Sequence, residues 1–186
     1  MHNEIKNALE ALKQGGIILY PTDTVWGIGC DATNAEAVSK IYKLKQRIET
    51  KAMICLVADD RMLKKYVKKV PEVAQDIFEV AENPVTIIYD DAQNLASNLI
   101  ASDNTIAIRI PDDEFCYQLS RKLNGAIVST SANKSGASTP KSFKEIPQDI
   151  LKGVDYVVNL HHDKKMAKPS SIIKLGNNGI VKVIRQ

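Results

Sequence analysis

The sequence predicts an α/β domain built on a twisted, mixed β-sheet flanked by helices. Three observations predict it. Short apolar runs of strand length alternate with stretches whose apolar residues recur at helical spacing. Glycines, prolines and capping residues punctuate the boundaries between them. No repeat, low-complexity tract or linker divides the 186 residues, so one domain over 1–186 is expected.

Taken in order, Ile5, Ala8, Leu9 and Leu12 form the apolar stripe of an amphipathic helix. Gly15 and Gly16 end it, because glycine takes a left-handed cap at little cost. Residues 17–20 read as a buried strand that Pro21 stops. Thr33 and Glu36 have capping-box spacing, and the helix after them turns Ala37, Val38, Ile41 and Leu44 inward. The continuous apolar run 52–58 reads as a central strand. Helical stretches are expected near 60–68 and 72–81, and strands at 85–89 and 105–110. Pro111 and Asp112 open a helix with Phe115, Leu119 and Leu123 facing the core. A strand at 126–130 follows, then a second capping-box pattern at Ser142 and Glu145. Strands at 156–160, 171–175 and 180–184 complete the pattern, the last two paired through residues 176–179.

Composition narrows the function. Cys30, Cys55 and Cys116 are odd in number, dispersed and free of any C-x-x-C, which suits reduced buried thiols rather than disulfides or zinc. The N-terminus is polar and acidic where a signal peptide is apolar, and no apolar stretch nears the roughly 20 residues that span a bilayer. A cytoplasmic protein without a membrane partner is the expectation. The net charge of +3 points weakly to anionic partners. The basic run 61–69 reads as a solvated helix face or a nucleic-acid patch. His2, His161 and His162 assemble neither a Ser-His-Asp set nor a metal site, and the last two read as a solvated pair. Metal ligands cannot be named from the sequence.

Four segments carry more polar groups at strand ends than a core requires. Residues 21–29 run from a buried strand into hydroxyls, a carboxylate and glycines; this suits either a ligand loop or an ordinary turn. Lys45, Arg47 and Lys51 converge before the central strand, as a triphosphate site or as a basic helix terminus favoured by the helix dipole. Residues 129–139 form a loop dense in hydroxyls and amides after a strand, where open α/β sheets collect ligands. Arg109 ends a strand on the side of Ala107 and Thr105, and a buried arginine needs an anion. Ser170 and Ser171 form a similar hydroxyl pair. There is no G-x-x-x-x-G-K-[ST] and no G-x-G-x-x-G, so any phosphate chemistry must rest on hydroxyls, amides and cations.

Together these segments resemble the YrdC-type threonylcarbamoyl-AMP synthase family. The likeness rests on P-T-D-T-V-W-G-I-G-C-D-A at 21–32, K-x-R at 45–47, T-I-A-I-R-I-P at 105–111, S-T-S-A-N-x-S-G at 129–136 and P-S-S-I at 169–172. In order and spacing these cover nearly the whole chain. The resemblance implies a YrdC-like fold with a basic concave cleft. It also implies an L-threonylcarbamoyladenylate synthase, a nucleotidyltransferase making threonylcarbamoyl-AMP and pyrophosphate from ATP, bicarbonate and L-threonine. Mg2+ would accompany the ATP, a threonylcarbamoyl transferase complex would receive the product for tRNA modification, and tRNA is itself a candidate partner.

Carried over by motif, Lys45, Arg47, Ser131 and Asn133 look like the catalytic tetrad at the nucleotide. Thr24, Arg109, Ser129 and Ser170 or Ser171 look like the threonine pocket. Arg47, Lys51, Thr105, Ser131, Thr139 and Arg185 look like ATP contacts. The sequence departs from the family pattern at Ile48, where the family has proline, at Ala52, at Leu56, where some members have histidine, and at Trp26, where tyrosine is commoner. With Gln186 as its last residue, the chain is expected to hold the catalytic domain alone. Two other readings stand beside the synthase: a non-catalytic RNA-binding module, which would want stacking aromatics, and an inactive paralogue, which should have lost the intact Ser131-Ala132-Asn133 signature.

Overall fold

The computed structural model describes residues 1–47, 53–166 and 168–186. Along the chain run α1 (His2–Lys13), β1 (Ile18–Tyr20), β2 (Gly27–Gly29), α2 (Ala35–Lys45), β3 (Ile54–Leu56), α3 (Asp60–Leu63), α4 (Val73–Val80) and β4 (Val85–Tyr89). There follow β5 (Ile106–Arg109), α5 (Glu114–Leu123), β6 (Ile127–Ser131), a 3-10 turn (Phe143–Glu145), α6 (Gln148–Gly153), β7 (Tyr156–Val157), β8 (Ser171–Leu175) and β9 (Val181–Arg185).

The described strands form one mixed sheet in the order β7-β1-β2-β6-β3-β5-β4-β8-β9. Alternation of side chains along each strand sends neighbours to opposite faces. Tyr20, Leu56 and Ile127 turn to one face, where Ile5, Ala8 and Leu12 of α1 and Phe115 and Leu119 of α5 cover them. Cys55, Val128 and Ile108 turn to the other, against Val38 and Ile41 of α2. The three cysteines are free and buried, as expected, and burial pushes the Cys55 thiol up to about 12.

Most elements lie where periodicity placed them, and the differences have local causes. Asn34, not Thr33, caps α2: its side chain accepts from the Ala37 amide at 3.0 Å. Thr33 is occupied instead by Asp31, to which its hydroxyl donates at 2.7 Å. Ser142 and Glu145 close only a 3-10 turn, with Glu145 accepting from the Lys141 amide at 2.9 Å, and α6 starts separately afterwards. Helix α3 ends at Leu63, short of the expected 68, yet Met62, Leu63, Tyr66 and Val67 stay buried while the cations around them are exposed. The cations of the basic run thus all lie on the exposed side of this segment. Strand β7 covers only the start of 156–160.

Strand β2 was read as part of a polar loop. It is built by the glycines: a Cβ on Gly29 would run into the Val128 carbonyl oxygen and the Tyr20 ring, so only glycine lets β1, β2 and β6 close up here. His162 is half-buried rather than freely solvated. Its ring stacks on Phe143 at 3.7 Å between centroids, and its Nε2 lies 3.0 Å from the Val158 carbonyl oxygen. Among the described residues no helix is long and apolar enough to cross a membrane.

Candidate active site

Helices α1 and α5 cover only part of their face of the sheet. The register puts Ser129 opposite Ile54 and Leu56 opposite Arg109, so all four share that face. Beyond the helices, Ile54, Ser129 and Arg109 line a cavity of about 190 Å3. Thr24, Arg47, Ser131, Thr139, Ser170 and Arg185 complete its polar wall, with Met53, Pro169 and Ile172 among the apolar parts. Eight of the expected site residues thus come to one place from loops and strands far apart in sequence.

A single row crosses five strands at this point. Leu56 pairs with Arg109, and one step beyond the Ile87–Ile108 pair, Arg109 faces Thr86. Thr86 pairs with Ile172, and Ile172 with Arg185. The arginines of β5 and β9 therefore reach the cavity because their strands are in register with β4 and β8 between them.

Arg109 finds its anion inside the protein. Its Nη1 pairs with Asp23, and both side chains are nearly fully buried. Its Nη2 donates to the Thr24 hydroxyl at 3.2 Å, and Thr24 in turn lies 3.0 Å from the Thr22 hydroxyl. Asp23 also accepts from the Asp112 amide at 3.2 Å, which ties the 21–26 loop to the approach to α5. Asp23 belongs to the P-T-D-T run, but its partner lies 86 residues away, and only the fold shows that the carboxylate serves Arg109.

Lys45 does not line the cavity. It is fully buried behind it, where Nζ donates to the backbone carbonyls of Ser131 and Asn133. Burial, and secondarily the charge of Arg47, lower its pKa to about 8. The expected tetrad is therefore one unit in space: Ser131 and Arg47 face the cavity, Asn133 is buried next to them, and Lys45 anchors their loop. Asn133 Nδ2 donates to the Ala137 carbonyl at 2.6 Å, while its Oδ1 has no partner among the described residues.

On the opposite wall, Arg185 donates through Nε and Nη2 to the Ser170 carbonyl, at 3.1 and 2.7 Å. Desolvation, and then the like charge of Arg109, depress its pKa. A site that disfavours its own cations in this way favours an incoming anion.

Two expected residues stand apart. Thr105 does not line the cavity: it precedes β5, at the far end from Arg109, and its hydroxyl donates to Asp103 at 2.6 Å. Ser171 points away because it alternates with Ser170 and Ile172, and its hydroxyl lies 3.4 Å from the Pro84 carbonyl oxygen. Lys51, with Ile48 and Ala52, lies outside the described residues. Thr86 was missed by sequence reasoning, since it looks like any strand residue until the register is known.

The cavity's described lining holds arginines and hydroxyls and no carboxylate. No group of three or more described His, Cys, Asp or Glu residues could hold a metal ion. The arginine-and-hydroxyl wall suits an anion.

The profile of the Sua5/YciO/YrdC family, described as "Telomere recombination", matches residues 10–186. The threonylcarbamoyl-AMP synthase of Idiomarina loihiensis is 37% identical over 169 residues, covering 89% of this chain and 90% of its own. That of Pseudoalteromonas translucida is 35% identical over 158 residues, covering 83% and 84%. Among solved structures, P. abyssi Sua5 superposes with a TM-score of 0.87 at 23% identity, over 97% of this chain, which spans only 55% of that protein. P. abyssi Sua5 has also been solved with L-threonine; that structure has a TM-score of 0.81 at 23% identity, covering 92% of this chain and 50% of its own. E. coli YciO has a TM-score of 0.86 at 24% identity, covering 100% of this chain and 90% of its own. By fold, by sequence profile and by motif, the chain belongs to the Sua5/YciO/YrdC family.

Proposed function

We propose that this protein is an L-threonylcarbamoyladenylate synthase, converting ATP, bicarbonate and L-threonine to threonylcarbamoyl-AMP and pyrophosphate for tRNA modification. The observation that carries the reading is the single cavity lined both by Arg47, Ser131, Thr139 and Arg185, expected at the nucleotide, and by Thr24, Arg109, Ser129 and Ser170, expected at the amino acid. One set suits a nucleotide and the other a small amino acid. Curated relatives at 35–37% identity bear the synthase name.

The chemistry needs positioning more than a side-chain nucleophile. The threonine amine attacks the carbon of bicarbonate; the nitrogen loses a proton and the former hydroxyl leaves as water, giving a carbamate. A carbamate oxygen then bonds to the α-phosphorus as the bond to pyrophosphate breaks. Hydroxyls of Thr24 and Ser129 orient the amino acid, and the Arg109 guanidinium attracts its carboxylate. Arg47, with Ser131 and Asn133 held by Lys45, faces the phosphates and offsets the charge that develops on pyrophosphate. Lys51 remains an expected nucleotide contact, and Thr105, which lies off the cavity, keeps that role only by the resemblance. Mg2+ would enter on the ATP phosphates. A transferase complex would take up the adenylate, and the work on tRNA places the protein in the cytoplasm.

The RNA-binding alternative is not favoured, because Trp26 is fully buried beside Phe143 and offers no face for a base. The test is mass spectrometry of the product from ATP, bicarbonate and isotopically labelled threonine. A labelled threonylcarbamoyl-adenylate is expected. Pyrophosphate release that is unchanged when threonine is omitted overturns the reading.

A further inference from the structure

Thr86 lies in the middle of β4, fully buried, and does not touch the cavity. Its hydroxyl has one hydrogen-bond partner among the described residues, the Ser170 hydroxyl at 2.7 Å. Ser170 is itself buried but forms part of the cavity wall. Its backbone is fixed as well, since Arg185 donates twice to its carbonyl oxygen.

Two hydroxyls joined by one hydrogen bond have two protons, and only one lies between them. If Ser170 donated, the Thr86 proton would be stranded in the interior with no acceptor. A buried donor left unmade costs more than the bond returns. If Thr86 donates, its proton is satisfied and the Ser170 proton is left for the cavity. There Arg109 and Arg185 favour an anion.

We propose that Thr86 is a positioning residue: by donating to Ser170 it fixes the Ser170 hydroxyl as a hydrogen-bond donor to the carboxylate of the bound amino acid. This rests on the synthase reading and deepens it. Thr86 acts only through Ser170, and it sets which half of an amino acid that serine can recognise. A carboxylate accepts from a fixed donor, whereas an ammonium gains nothing from it.

The test uses Thr86→Val, which keeps the branched shape and removes the hydroxyl. Calorimetry should show L-threonine binding weakened about tenfold, the size of one lost charge-assisted hydrogen bond. L-threoninamide, whose carbonyl offers only an uncharged acceptor in place of the carboxylate, should lose clearly less affinity than L-threonine. The KM for ATP should move less than about threefold, Thr86→Ser should restore threonine affinity, and Thr86→Val with Ser170→Ala should be no worse than Ser170→Ala alone. Unchanged threonine affinity, an equal loss for the amide, or additive losses overturn the proposal. If a melting curve shows Thr86→Val unfolded, Ser170→Ala carries the same comparison: a larger loss for threonine than for the amide supports the donor role, and an equal loss for both ligands rejects it. A wild-type protein that binds no L-threonine fails before any variant is made, and that result rejects the synthase reading itself.

Discussion

Lys45 Nζ donates to the backbone carbonyls of both Ser131 and Asn133, joining the last turn of α2 to the loop that follows β6. The Ser135 amide returns the contact by donating to the Lys45 carbonyl at 2.8 Å. Lys45→Met deletes the cation and leaves two carbonyls without their donor. Pyrophosphate release dependent on threonine is expected to fall tenfold or more, about 1.4 kcal/mol or beyond in the transition state. A steady-state assay at saturating ATP checks this, and a wild-type rate removes Lys45 from the machinery.

The same lysine sets a pH dependence. Its folded pKa is lowered from 10.5 to about 8, by burial first and by Arg47 second. It is charged below that point and neutral above it. The kcat/KM for ATP, which reports the free enzyme, should therefore decline as pH rises through about 8. In Lys45→Arg the decline should move up or vanish. For stability the sign is opposite. Between about 8 and 10.5 the unfolded chain binds more protons at this group, so its contribution makes the fold more stable as pH rises through that window. Its full cost is present below about pH 8. Paired pH profiles of rate and urea midpoint check both directions.

The buried pair Arg109–Asp23 makes a separate prediction. Arg109→Ala leaves the Asp23 carboxylate without its counter-ion and should cost about 3–5 kcal/mol of stability. The double variant with Asp23→Ala should lose less than the two single losses combined. Urea denaturation of the four proteins in the cycle checks the coupling. Arg109→Lys keeps the charge but not the planar fork, and should raise the KM for L-threonine about tenfold.

Gly29 tests the close approach of three strands. Gly29→Ala places a methyl group against the Val128 carbonyl and the Tyr20 ring, and neither can move without opening β1 or β6. A loss of about 1–3 kcal/mol is expected, as for overpacked cores. Gly27→Ala meets the Ser129 hydroxyl, at 3.1 Å, and the Tyr20 ring, at 3.4 Å and beyond, as its nearest neighbours among the described residues. It should cost less stability and act on threonine affinity instead. Thermal melts and threonine titrations of both variants separate the two effects.

The sequence revealed those parts of the site that break a pattern. Hydroxyls at 129–131, the cation pair at 45 and 47, and an arginine closing an apolar strand all stand out against core periodicity. Thr86 does not, because threonine is an ordinary strand residue and its face is decided by register, which no local pattern supplies. Asp23 was visible as a loop carboxylate, but its pairing with Arg109 depends on β1, β2 and β5 being brought together. Thr33 and Asn34 are both good caps, and the choice between them turned on Asp31 capturing the threonine hydroxyl. Two of the three residues of β2 are glycines, which leaves Ile28 as its one strand former; their neighbours make them a strand.

The row from Leu56 through Arg109, Thr86 and Ile172 to Arg185 visits the chain out of its order of synthesis. A nascent polypeptide that has emerged as far as Arg109 owns one wall and no opposite side. Recognition of small molecules therefore begins only when β9 docks, and occupancy by ATP or threonine becomes a reporter of complete maturation. Added ligand should raise the melting temperature with its concentration, by mass action on the finished sheet alone.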